Sequence, residues 1–221
     1  MIIVCGAGSE LAKNVIHQLS INHKVLAISR HEHYEGKNIT SVNIDNYSNI
    51  NNIIENINSD KIVWINFVAH SNDNLLVNTS EEDLVYDFEL NFKLNFRASK
   101  TLLPKMIANK FGRFIFISSS RALKGDVGIF SYSLGKKATH TLQNQLVNEY
   151  SRFGITANTL SLGYYDTNLW NQMPDKIKSN LMKSTPTKKL SDPNCIAPNI
   201  ELIIKYATMN NNVIKLDDGF Q

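Results

Sequence analysis

Short apolar runs separated by helical stretches constrain this chain more than any other feature. Runs at Ile2–Cys5, Lys24–Ser29, Thr40–Ile44, Lys61–Phe67, Arg113–Ser118, Thr156–Ser161 and Val213–Leu216 read as strands. Several are continuous β-branched or aromatic residues, as strands covered on both faces should be. Helical patterns fill the gaps, over Glu10–Ser20, Ser48–Asn58, Glu81–Asn109, Tyr132–Phe153, Ile196–Ala207 and, more loosely, Asp175–Ser184. Strand–helix alternation at this spacing requires crossover connections and hence a parallel sheet. The fold class expected is α/β, a Rossmann-type doubly wound parallel sheet of about seven strands. With no repeat and no linker in its 221 residues, the chain 1–221 is expected to be a single domain.

Composition narrows the partners. A hydrophobic share of 43 % supports a substantial core, and 23 basic against 20 acidic residues leaves +3, with no block of like charge. That balance does not point to nucleic acid or to a membrane surface. Cys5 and Cys195 are too few for a disulfide framework. No apolar stretch reaches the roughly 18 residues that a membrane span needs. The chain enters its first strand directly, without a basic leader. A soluble, cytoplasmic protein is the expectation.

In a sheet of this kind ligands gather at the carboxyl ends of the strands. After the first strand stands Gly6-Ala7-Gly8-Ser9-Glu10-Leu11-Ala12, a turn with small residues opening a helix. Gly6 permits a tight turn, and the helix N-terminus offers free N–H groups to a phosphate. After the second strand come Ser29 and Arg30, with no carboxylate ending the strand. A carboxylate here would hold a ribose 2′-hydroxyl, whereas an Arg accommodates a 2′-phosphate, so NADP(H) is expected over NAD(H). His31, His33 and His70 lie on different segments with no cysteine cluster, so no metal site is expected. Tyr132 and Lys136 stand four apart on a helical pattern, hence on one face. A nearby ammonium favours the phenolate, so Lys136 is expected to lower the Tyr132 pKa for proton transfer.

These segments, in this order, resemble the short-chain dehydrogenase/reductase family in its compact branch, from Ile2 to Gly219. The family's turn Thr-Gly-x-x-x-Gly-x-Gly corresponds to Cys5, Gly6, Glu10 and Ala12, with Ser9-Glu10-Leu11-Ala12 similar to a frequent Ser-(Asp/Glu)-Ile-Gly variant. Asn43-Ile44 matches the residues the family places near adenine. Asn66-Phe67-Val68-Ala69 corresponds to Asn-Asn-Ala-Gly and keeps its first Asn. Asn91 is followed by Pro104 and Met106, as the family's active-site Asn commonly is, and Ser119 stands thirteen residues before Tyr132 of Tyr-x-x-x-Lys. Leu162-Gly163-Tyr164-Tyr165-Asp166-Thr167 matches Pro-Gly-x-x-x-Thr without its Pro.

The resemblance implies a catalytic set of Ser119, Tyr132, Lys136 and Asn91. It implies cofactor contacts from Gly6, Gly8, Ser9, Glu10, Leu11, Ser29, Arg30, Asn43, Ile44, Asn66, Val68, Ala69, Tyr132, Lys136, Gly163 and Thr167. Asp73-Asn74-Leu75-Leu76 through Asn91 looks especially like 3-oxoacyl-carrier-protein reductases. An NADPH-dependent carbonyl reductase is therefore expected, with a small-molecule carbonyl substrate, carrier-bound or nucleotide-linked. A keto-sugar or sugar-nucleotide reductase of surface-polysaccharide synthesis is the alternative, and a catalytically idle NADP(H)-binding regulator the second. In this family the substrate is shaped by the segment after Thr167, here Leu169, Trp170, Met173, Lys176 and Lys178, and by the Arg121–Ile129 loop with Phe130. The two long helices imply a homodimer or homotetramer.

Overall fold

Seven parallel strands form one sheet in the order β3-β2-β1-β4-β5-β6-β7. They are β1 Ile2–Cys5, β2 Val25–Ser29, β3 Ile39–Asn43, β4 Ile62–Asn66, β5 Gly112–Ser119, β6 Ile155–Leu162 and β7 Val213–Leu216. The computed structural model describes residues 1–220, without the side chain of Leu169. The α-helices are α1 Glu10–Leu19, α2 Ile50–Ile54, α3 Glu81–Phe88, α4 Leu94–Ala108, α5 Ser120–Lys124, α6 Phe130–Tyr150, α7 Asn168–Asn171, α8 Asp175–Ser184 and α9 Ile196–Lys205. The α/β, doubly wound expectation holds, and the strand order reverses between β1 and β4, where Cys5 pairs with Asn66.

Alternation along the strands feeds two cores. Ile2 and Val4 pack with Val15, Ile16 and Leu19 of α1 and Ile196, Ile200 and Ile203 of α9. Ile3 and Cys5 pack on the opposite face with Ile50 and Ile54 of α2, Leu94, Ala98, Leu102 and Met106 of α4 and Leu146 of α6. A strand with both faces covered favours apolar side chains, which is why β1, β2 and β4 read as apolar runs up to the Ser29 and Asn66 that end the last two. At the head of α1, Ser9 caps the helix by accepting from the Ala12 N–H at 3.1 Å, and Glu10 sits in its first turn. Both choices complement the positive end of the helix.

Several expected elements differ. The Ser48–Asn58 helix shrinks to a 3₁₀ turn at Tyr47–Asn49 and α2. The long Glu81–Asn109 helix is interrupted by a π turn at Glu89–Lys93, which contains Asn91. A π turn accommodates one surplus residue without ending the helix, so the apolar periodicity carries on across it. The segment after β5, read as a loop, opens with α5, and α6 begins at Phe130. Ile44 lies just past the end of β3, its amide donating to the Ser29 carbonyl.

Candidate active site and cofactor cleft

Two adjoining cavities run along the carboxyl ends of the strands at the switch point. The larger, about 670 Å³, is bordered by Ser119, Tyr132, Lys136, His70, Arg121 and the Tyr164–Met173 segment, among others. The smaller, about 330 Å³, is bordered by Gly6, Arg30, His31, Glu32, Tyr47 and Val68. Gly8, Ser9, Phe67 and Ala69 border both, so the two form one elongated cleft.

In the larger chamber, β5 ends at Ser119 and α6 begins at Phe130, which brings Ser119 to Tyr132. The Ser119 hydroxyl acts on the Tyr132 phenol, favouring its charged form. Lys136, one turn further along α6, is 3 % exposed and donates from Nζ to the Ile117 carbonyl at 3.0 Å. Its Nζ lies 5.6 Å from the centroid of the Tyr132 ring. Burial draws the Lys136 pKa from 10.5 down to about 8. The expected lowering of Tyr132 is reversed: burial pushes its pKa up to about 12, outweighing the Ser119 hydroxyl and the Arg121 charge. Helical spacing identifies neighbours, but desolvation of the phenolate is the larger effect here. A phenol so placed is protonated at neutral pH and can give a proton to an oxygen entering the chamber.

Asn91 sits elsewhere. It is fully buried in the π turn and does not border the cleft. Its Nδ2 donates to the carbonyls of His70 at 2.7 Å and Asp87 at 2.9 Å, while its own carbonyl accepts from Thr139 Oγ1 of α6. It therefore ties the loop after β4 to the helix carrying Lys136. Gly135 makes that approach possible, because a Cβ there would lie 2.7 Å from the Asn91 Cβ.

The smaller chamber is floored by a glycine turn and carries an exposed cation. Gly6 has φ +76°, and a Cβ on it would meet the Val68 amide nitrogen at 2.5 Å, so the turn at the cleft floor admits only glycine. Arg30 is exposed, with its guanidinium 6.0 Å from the Tyr47 ring centroid. Glu32 borders the chamber too, and its carboxylate is paired with Lys13 Nζ at 3.0 Å.

Of the other expected cofactor residues, Gly6, Gly8, Ser9, Glu10, Leu11, Arg30, Val68, Ala69, Gly163 and Thr167 border one chamber or both. Four do not. Ile44 is buried in the core beneath α2, and Asn43 is exposed at the end of β3. Ser29 is buried, its hydroxyl holding the Glu32 backbone from both sides at 2.7 and 2.9 Å. Asn66 is buried as well, accepting from the Val68 N–H and donating to Asn95. Ser29 and Asn66 shape the cleft through the backbone they hold. A further link spans the cleft mouth, where Glu10 Oε2 accepts from the Asn168 N–H of α7 at 2.6 Å. Tyr47, His70 and Tyr164 border the cleft without having been singled out for this role. Nothing local marks them, and only the sheet order brings them together.

A family model described as short chain dehydrogenase matches residues 1–178. The chain belongs to this family. Short-chain dehydrogenases are oxidoreductases acting on CH–OH and C=O groups, and they bind nicotinamide cofactors. A 7alpha-hydroxysteroid dehydrogenase of Paraclostridium sordellii is 30 % identical over 80 % of this chain and 69 % of its own. A 3-oxoacyl-acyl-carrier-protein reductase of Rickettsia typhi is 25 % identical over 87 % of this chain and 82 % of its own. Some relatives match over about half their length, 47 % for a (2S)-[(R)-hydroxy(phenyl)methyl]succinyl-CoA dehydrogenase subunit of Thauera aromatica. Among solved structures, ElxO with NADP bound superposes with a TM-score of 0.88 at 22 % identity, over 99 % of this chain and 97 % of that one. That likeness is one of fold. Among the described residues no group of His, Cys, Asp and Glu could hold a metal, and no helix is long and apolar enough to cross a membrane.

Proposed function

We propose that this short-chain dehydrogenase is an NADP(H)-dependent carbonyl reductase whose catalytic residues are Ser119, Tyr132 and Lys136, with Asn91 positioning them. The observation that carries the reading is the Ser119–Tyr132 hydroxyl pair bordering the larger chamber, with the buried Lys136 ammonium behind it. A nicotinamide cofactor held in the cleft would supply the hydride for the carbonyl carbon. Tyr132 gives its proton to the carbonyl oxygen, and Ser119 donates a hydrogen bond to the same oxygen as charge develops on it. Lys136 stabilises the phenolate left behind, since its charge becomes useful when Tyr132 loses its proton. Asn91 ties the loop after β4 to α6 one turn beyond Lys136, through the His70 carbonyl and the Thr139 hydroxyl. Gly8, Ser9 and the start of α1 receive the pyrophosphate. Arg30 and His31 face the adenosine end. With Glu32 paired to Lys13, that end suits a 2′-phosphate.

Similarity to carrier-protein reductases favours 3-oxoacyl thioesters as the substrate class. The free cysteines accord with a cytoplasmic location. We also propose a homodimer or homotetramer built on α3, α4 and α6.

Replacing Tyr132 by Phe tests the reaction. NADPH oxidation with a 3-oxoacyl thioester should fall roughly 10²- to 10⁴-fold while NADPH affinity, read by its fluorescence, is unchanged. Near-normal turnover would remove Tyr132 from the proton step. Arg30→Ala tests the cofactor: NADPH affinity should drop roughly ten- to a hundredfold with NADH little affected. Equal effects on both would return the preference to NAD(H).

A further inference from the structure

His70 follows β4 in the loop held by Asn91 and is one of the residues bordering the chamber that Ser119 and Tyr132 border. The ring is locked. Its Nδ1 lies 2.6 Å from Asp87 Oδ1, and Tyr86 meets it edge-on with centroids 4.7 Å apart. The Asp87 side chain is wholly buried, whereas 36 % of the His70 side chain is exposed. The other Asp87 oxygen accepts from the Asn72 N–H at 3.2 Å and from the Ser131 hydroxyl, next to Tyr132. A carboxylate accepts only, so Nδ1 carries the hydrogen and Nε2 is the nitrogen left over. Nε2 has no protein partner among the described residues.

A buried carboxylate needs hydrogen-bond donors. Asn72 and Ser131 alone would staple the loop, α3 and α6 together. The third donor is the part-exposed ring of a residue that borders the chamber, with one nitrogen fixed and the other unused, and a fixed ring of that kind is what a ligand contact requires. We propose that His70 is a specificity-determining contact, hydrogen-bonding through Nε2 to a second oxygen function of the substrate, beyond the carbonyl held by Ser119 and Tyr132. The substrates favoured are ketones bearing a further oxygen, such as 3-oxo esters and thioesters, over plain ketones. The proposal rests on the reductase reading for the first carbonyl and adds the second contact.

The test compares ethyl acetoacetate with 2-heptanone, a ketone of similar length without the ester oxygens. With NADPH, the native chain should prefer the ester in kcat/KM. His70→Leu should raise KM for the ester roughly ten- to a hundredfold beyond whatever change it causes with 2-heptanone. His70→Gln, which keeps a polar end, should recover part of the loss. Equal losses on both ketones, or none on either, would make His70 a structural staple and overturn the proposal. A second readout is independent of turnover. With NADP bound and histidines labelled with ¹⁵N, the His70 ring signals should shift on adding the ester and not on adding 2-heptanone. Shifts with both, or with neither, would overturn it. No oxidation of NADPH with either ketone, together with a His70 response to the ester alone, would sink the reductase reading and leave this contact standing.

Discussion

Lys136 is an ionisable group held almost wholly out of solvent, 3 % exposed at the edge of the larger chamber. Its pKa falls from 10.5 to about 8 through burial, equivalent to about 3 kcal/mol of instability while the group is charged. The unfolded chain binds this proton up to higher pH than the folded one, so the penalty is complete below pH 8 and is relieved as pH rises towards 10.5. Lys136→Met should therefore be more stable than the native chain at pH 7 by chemical denaturation, and that advantage should shrink by pH 10. An advantage independent of pH would mean that the ammonium is not the source. Site residues of this kind trade stability for function. The Ser119, Tyr132 and Lys136 set was legible in the sequence because its members are local: a strand end and one helical turn. The direction of the Tyr132 shift was not legible, since spacing says nothing about how dry a position is. Asp87 and His70 were not legible as a pair either, being seventeen residues apart with no periodic mark joining them.

The π turn at Glu89–Lys93 and the facing turn of α6 work as one joint. Gly135 lets the two backbones approach, and Thr139 then reaches the Asn91 carbonyl at 3.0 Å. In an isolated helix Gly→Ala is favourable by about 1 kcal/mol. Here the added methyl would lie 2.7 Å from the Asn91 Cβ, with backbone behind it. Gly135→Ala should consequently destabilise the protein by roughly 1–3 kcal/mol, measured as a lowered denaturation midpoint. A raised midpoint would mean that the joint can open without strain. The seven strands and most helices were recoverable from apolar patterning because their burial is strongly one- or two-faced. The π turn was not, because one surplus residue leaves the apolar faces before and after it intact.

The assembled molecule leaves an apolar surface uncovered. Phe88, Phe92 and Phe96 form a row across α3, the π turn and α4, with ring centroids 4.9 and 6.3 Å apart. Val85, Tyr86 and Phe96 are 60, 48 and 47 % exposed, and Leu134 of α6 is 39 % exposed. The proposed assembly would cover these side chains. Light scattering at micromolar concentration should give a mass of at least twice 25.0 kDa, and Phe96→Glu should reduce it to one chain with the fold retained by circular dichroism. A monomeric native chain would remove the proposed assembly. The sheet order has a consequence of another kind, for the order of events during synthesis. Ile2 pairs with Val25 on one side and Val63 on the other, so β1, made before both its later partners, ends up inside the sheet. Until β4 emerges from the ribosome, that strand has one bare edge and unmatched apolar faces. Pairings between distant segments form slowly, and bare edges invite association with other chains. The strand that leads into the Gly6 turn is thus also the one most exposed to misassembly while the chain is incomplete.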